Sequence, residues 1–157
     1  MEPKALIITD RSDLAETRLI VGLAKAGLSL TLIANDTGRN YGEFVAEGVD
    51  VRPLKLNGRF DAVGTSAIRE VLDSGIFTVI YACNPRALAC ALRASRGRKI
   101  KIIAYRGVIG NIGLMKPESW NTFLHPRLDR IVCVSQAVQR YVESVSKWPL
   151  TQVAGKA

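Results

Sequence analysis

Alternating strand and helix patterns predict an α/β protein: a Rossmann-like three-layer sandwich around a parallel sheet of about six strands. Three observations carry that prediction. Short apolar runs rich in β-branched residues recur at 4–9, 28–34, 49–54, 77–82, 101–105 and 131–134. Runs of this kind read as strands, the last two as strands buried on both faces. Stretches with apolar residues at helical spacing lie between them, which is the order that builds a parallel sheet. Gly27, Gly48, Gly75 and Gly97 follow the helical stretches, where a closing glycine is favoured. Right-handed crossovers then give the strand order 3-2-1-4-5-6.

The elements follow in order. The first strand runs through Ala5-Leu6-Ile7-Ile8. Asp13, with Glu16 three residues on, makes a capping-box-like helix start. Ala15, Leu19, Leu23 and Ala26 form the apolar stripe of that helix. The second strand leads through loop 35–39 into a short helix at 41–47. The third contains Pro53, which cannot donate a ladder bond, so it should end there or lie at an edge. Ile68, Val71 and Leu72 mark the next helix. After the fourth strand, Asn84-Pro85 supplies an N-cap and a proline at the first helical position. Ala87, Leu88, Ala91 and Leu92 form the buried face that follows. The fifth strand opens into a glycine-bearing loop at 106–113, and Pro117 with residues 120–124 suggests a short extra helix. Ser135 should cap the last helix, whose face is Ala137, Val138, Tyr141 and Val142 and which should run to about Val145.

Length and composition narrow the function classes. A chain of 157 residues, 48% hydrophobic, suits one domain with one sizeable core. Its longest apolar runs are too short to span a bilayer. Met1-Glu2-Pro3-Lys4 leads straight into a strand-like run without a signal-peptide pattern, so the expected location is the cytoplasm, free or on the inner face of a membrane. A net charge of +8, from 14 Arg and 8 Lys against 14 acidic residues, favours anionic partners. Cys83, Cys90 and Cys133 are widely spaced and there is a single His, a poor basis for a metal site. The three cysteines read as buried, reduced thiols. Aromatic residues, at 6%, lack the clustering of single-strand nucleic-acid binders, which sets nucleic acid aside as a partner.

Several motifs can be tested directly. Dinucleotide binding needs G-x-G-x-x-G after the first strand, and residues 9–14 contain no glycine. No G-x-x-x-x-G-K-[ST] loop occurs either. What does stand out is one arginine in each loop following strands one to five: Arg11, Arg39, Arg59, Arg86 and Arg106. In a parallel sheet these loops share the edge at which ligands bind, so the arginines should form a basic rim for an acidic or phosphorylated ligand. The candidate set is Arg11, Arg59, Asn84, Arg86, Arg106, Gly107 and Ser135. Against it stands a simpler reading: with 14 arginines, several fall in loops by chance and form a solvated basic surface. His125 enters the sixth strand from the opposite edge, and Glu118 has no visible partner. No catalytic residue is assigned.

Residues 14–20 and 24–34, the strand at 77–82, and the stretch 128–135 with its aspartate, apolar strand and serine are similar to the N-terminal domain of GT-B glycosyltransferases, most of all family 4. The resemblance covers about residues 4–146. It implies a domain at 1–146 that binds the acceptor, and a truncated connection at 147–157 towards a missing donor-binding domain that carries a pair of glutamates. It also implies transfer from a nucleotide-sugar, a co-substrate of the complete enzyme rather than a cofactor of this chain. The acceptor would be a glycan or glycolipid, acidic or phosphorylated in view of the rim, in cell-envelope synthesis. Peripheral membrane contact would accompany a lipid-linked acceptor. Two departures bear on this. Ser12-Asp13-Leu14-Ala15 stands where many members have a glycine pair, and Tyr105-Arg106-Gly107 where many have a histidine. The half alone is expected not to transfer sugar. The rival reading is a non-catalytic anion- or partner-binding α/β module.

Overall fold

A computed structural model describes residues 4–145. The expected connection at 147–157 lies outside the described residues. Twelve elements alternate: β1 Lys4–Ile8, α1 Leu14–Lys25, β2 Leu30–Ala34, α2 Tyr41–Ala46, β3 Asp50–Pro53, α3 Ala62–Asp73, β4 Phe77–Ala82, α4 Pro85–Ala94, β5 Lys101–Arg106, α5 Pro117–Trp120, β6 Arg130–Cys133 and α6 Gln136–Val145. The six strands form one sheet in the order β3-β2-β1-β4-β5-β6, and every pairing is parallel. Strand order and direction are those the crossover rule predicts. β3 is an edge strand that stops at Pro53, so both expectations for that proline hold.

Helix starts follow local chemistry. Asp13, Asp61 and Asn84 accept, through their side chains, the amides of Glu16, Gly64 and Ala87 at 2.8, 2.8 and 2.9 Å. Each bond satisfies a donor that the first helical turn leaves unpaired. Ser135 Oγ accepts from the Val138 amide at 3.3 Å, as the sequence predicts. Gly27 closes α1 at φ +88°, a conformation a side chain would strain.

Two apolar clusters sandwich the sheet. One holds Leu6, Ile8, Ile80, Ala82, Ile102 and Ala104 against residues of α3, α4 and α6, joined by Phe123 and Leu124. The other holds Ala5, Ile7, Leu30, Leu32 and Ala34 against Ile20 and Val21 of α1 and Phe44 of α2. The second cluster stops short. On that face, β4 to β6 present Val79, Tyr81, Ile103 and Tyr105 half-buried, and Val132 and Val134 are 45% and 57% exposed. This corrects the expected stripe of α1. Thr17, Ile20 and Val21 are its buried residues, whereas Leu19 is 47% exposed and turns with Ala15 towards the thinly covered tyrosines. Cys83 and Cys90 are buried as expected, but Cys133 is only half-buried.

Burial sets the scale of core substitutions. Ile80→Ala, at a position with no exposure, is expected to cost about 3 kcal/mol of unfolding free energy. Val132→Ala should cost under about 1 kcal/mol, because little transfer energy is lost at an exposed site. Urea unfolding of the two variants checks the pair.

Candidate functional site

The sheet reverses its winding between β1 and β4. After β1 the chain turns to α1 on one face, and after β4 it turns to α4 on the other. The two loops part and leave a crevice at the carboxyl edge, the position where open α/β sheets bind ligands. Here the crevice is an open cleft of about 480 Å³ lined by Asp10, Arg11, Gly58, Arg59, Asn84, Pro85 and Arg86.

Each lining group has a defined hold. Asp10 ends the turn out of β1 and is buried. Arg86, in the first turn of α4, donates through Nη1 to Asp10 Oδ2 at 2.6 Å and to the Leu56 carbonyl at 3.0 Å. A buried carboxylate left alone is costly, so this pair fixes the loop after β1 against α4. Asn84 is positioned by its capping bond to Ala87. Arg59 Nη1 lies 3.8 Å from Glu118 Oε2, which supplies the partner the sequence did not reveal. Arg11 is exposed and belongs to none of the ion pairs among the described residues. The loop carrying Arg59 is braced by Asp61, whose carboxylate also takes the Asn57 amide at 2.8 Å. The two amide bonds from Asn57 and Gly64 hold the Asp61 carboxyl below its ordinary value. The lining holds three guanidinium groups against one carboxylate, Asp10, with Glu118 reaching Arg59 from outside it, which leaves the cleft positive and suited to an anion.

Of the seven expected site residues, the cleft collects Arg11, Arg59, Asn84 and Arg86. It does not collect Arg106, Gly107 or Ser135. Arg106 is the main correction. It is 5% exposed and points inward. Its Nε donates to the Val108 carbonyl at 2.9 Å, its Nη2 to the Gly110 carbonyl, and its guanidinium lies 4.8 Å from the Phe123 ring centroid. Burial lowers its pKa, partly offset by the nearby Tyr141 and Cys133. Strand parity is the cause: Ile102, Ala104 and Arg106 share the buried face of β5, so Arg106 buttresses its own loop. Gly107 is exposed, and a Cβ there would meet the Tyr105 ring at 3.2 Å. Ser135 serves as a cap beside the edge strand β6. Arg39 is exposed and stands outside the cleft lining. His125 sits in the turn that leads into β6, at the far edge, where its Nδ1 accepts from the Arg127 amide at 3.1 Å.

A second feature is absent from the sequence reading. Asp13, Ala15, Glu16, Leu19, Tyr81 and Tyr105 line a hollow of about 120 Å³ on the thinly covered face. Glu16 does not complete the capping box; it turns inward. Burial pushes its carboxyl above 4.5, eased by the Thr9 hydroxyl and the Cys83 thiol and reinforced by Asp13. Tyr81 and Cys83 are raised as well, chiefly by burial. The spacing could have indicated this, since Glu16 adjoins Thr17 and lies four residues before Ile20, both on the buried face of α1.

A parallel sheet with an anion-ready crevice at its switch point is a Rossmann-like α/β domain. The chain belongs to Glycosyltransferase Family 4, whose sequence profile matches residues 17–153. Its fold is similar to a glycosyltransferase from Rickettsia africae, with a TM-score of 0.70 and 14% identity over 90% of this chain and 39% of that one. HepE of Anabaena, in complex with UDP and glucose, gives a TM-score of 0.65 and 16% identity over 89% of this chain and 40% of that one. A UDP-N-acetylglucosamine 2-epimerase from Rickettsia bellii gives 0.58 and 15% over 90% and 41%. The chain thus spans roughly two fifths of the length of these structures. No curated protein matches the sequence.

Two predictions follow from the inward-facing charges. Arg106→Ala should cost about 2 kcal/mol in urea unfolding, because two carbonyls lose their donor, yet leave binding of a sugar phosphate unchanged. Glu16 keeps its proton in the folded chain at pH values where the unfolded chain has lost it, so its penalty grows as pH rises above the ordinary carboxylate range. Glu16→Gln should therefore melt higher than the parent at neutral pH, with the gap closing in acid; thermal melts across pH check this.

Proposed function

We propose that this domain is the acceptor-binding half of a glycosyltransferase that moves a sugar from a nucleotide-sugar to a glycan or glycolipid, with the cleft at the switch point holding an acidic or phosphorylated group of the acceptor. The observation that carries the reading is the gathering of Arg11, Arg59 and Arg86 around Asn84 in one open cleft. Membership of a glycosyltransferase family supplies the reaction class. Arg11 and Arg59 bind the acceptor's anion, while Arg86, already fixed to Asp10, contributes field and shape. Asn84 presents an amide for hydroxyl groups at the first turn of α4. The cleft is too open to exclude water. Transfer then needs a second wall, supplied by a donor-binding domain that brings the nucleotide-sugar and positions donors for the departing diphosphate.

A bare carboxylate at Asp10 would repel a phosphate in this loop, and Arg86 neutralises it. Asp13 is engaged as a helix cap. Apolar side chains are exposed as well as the basic cleft: Val108 and Ile109 in the loop after β5, and Met115 further along the chain. That pairing fits an acceptor with a phosphate and a lipid tail, used from the cytoplasmic surface of a membrane in envelope synthesis. No helix among the described residues is long and apolar enough to cross a membrane.

The test is a titration with a lipid-linked sugar phosphate. Arg11→Ala, exposed and outside every described ion pair, should weaken binding roughly five- to tenfold, the loss of one charge-assisted contact. An unchanged dissociation constant would sink the acceptor assignment and favour a module that binds a partner elsewhere. In a radiolabelled-transfer assay with uridine and guanosine nucleotide-sugars, the chain alone should show no turnover above a no-protein control.

A further inference from the structure

A second basic hollow lies on the outer side of α3 and α4, away from the switch point. It measures about 400 Å³ and is lined by Phe60, Ala62, Thr65, Ser66, Arg69, Arg93 and Arg96. Three guanidinium groups face it and no carboxylate lines it. None of the three belongs to an ion pair among the described residues. Of the acids nearby in sequence, Glu70 is exposed and does not line the hollow, and the other two are committed elsewhere. Asp61 accepts the Asn57 and Gly64 amides, and Asp73 pairs with Arg98.

Two of the arginines are also placed rather than free. Arg93 stacks its guanidinium 5.0 Å from the Phe60 ring centroid and directs Nη2 to Cys90 Sγ at 3.8 Å. Arg69 Nη2 donates to the Arg93 carbonyl at 3.4 Å. Like charges gathered on α3, on α4 and just past its end repel unless an anion sits among them. Guanidinium forks match phosphate oxygens with two donors each. The Ser66 hydroxyl adds a further donor at the wall, and Phe60, 70% exposed, offers an apolar face beside the charge.

We propose that this hollow is a second anion subsite, built for a phosphate ester whose organic part packs on Phe60. It is separate from the acceptor cleft and independent of the proposed activity, although Arg59 and Phe60 place the two sites next to each other in the chain. The ester is carried either by a membrane lipid headgroup or by a soluble molecule.

The experiment silences the cleft first. In the full chain carrying Arg11→Gln and Arg59→Gln, binding of glycerol phosphate is measured by calorimetry. Co-sedimentation is measured with phosphatidylcholine vesicles, with and without phosphatidic acid. Arg69→Gln and Arg96→Gln are then added; both side chains are exposed, and an unchanged melting temperature verifies the fold. The expected result is binding of at least one probe, weakened tenfold or more by the added pair. Preference for phosphatidic acid vesicles assigns the ester to a lipid; binding of glycerol phosphate alone assigns it to a soluble ligand. No binding of either probe, or binding untouched by the added pair, overturns the proposal.

Discussion

The bond between Arg86 and Asp10 ties together the segments that make the cleft. A parallel sheet with right-handed crossovers must send the chain to opposite faces after β1 and β4, so a gap opens between their loops. Asp10 closes the first loop with a buried carboxylate, which the fold tolerates only if it is paired. Arg86 pairs it and also donates to Leu56 in the connection after β3. One guanidinium therefore joins β1, α4 and the 54–58 segment. Arg11, Arg59 and Asn84 are then carried on loops whose roots are fixed. The anion-binding character of the cleft follows from backbone topology and this single pair.

Much of that arrangement is legible from residues alone. The six strands, their order and the edge position of β3 come from apolar runs, glycine stops and Pro53, all local signals. The caps Asp13, Asn84 and Ser135 were legible too, because capping depends on one side chain and the amide three residues on. Direction was harder. The sequence places Arg106 in the loop after a strand, yet it is the last residue of β5 and falls on the same parity as Ile102 and Ala104. Counting alternation through the strand end would have turned it inward. The stripe on α1 was ambiguous because apolar residues occur on two sides of that helix. Only the sheet decides which side is covered, and it covers Ile20 and Val21 before Leu19.

The uneven cover of the sheet explains the oddities on that face. α1 and α2 lie over β1 to β3, while the tyrosines of β4 and β5, Val132 of β6 and Val134 just after it remain thinly covered among the described residues. Glu16 sits at this boundary, shielded enough to hold its proton more tightly than usual. The other face is closed by α3, α4 and α6 and presents its basic hollow outward. Charge and apolar surface are thus divided between faces, with the cleft at the edge where both meet.

The central claim is that Arg11, Arg59 and Arg86 receive an acceptor's anion while Arg106 holds the loop after β5. Arginine side-chain NMR of the chain during titration with a sugar phosphate observes all four guanidinium groups at once. The account predicts saturable shifts at Arg11, Arg59 and Arg86 with Arg106 unmoved. Saturation at Arg106, with the cleft arginines silent, would contradict it.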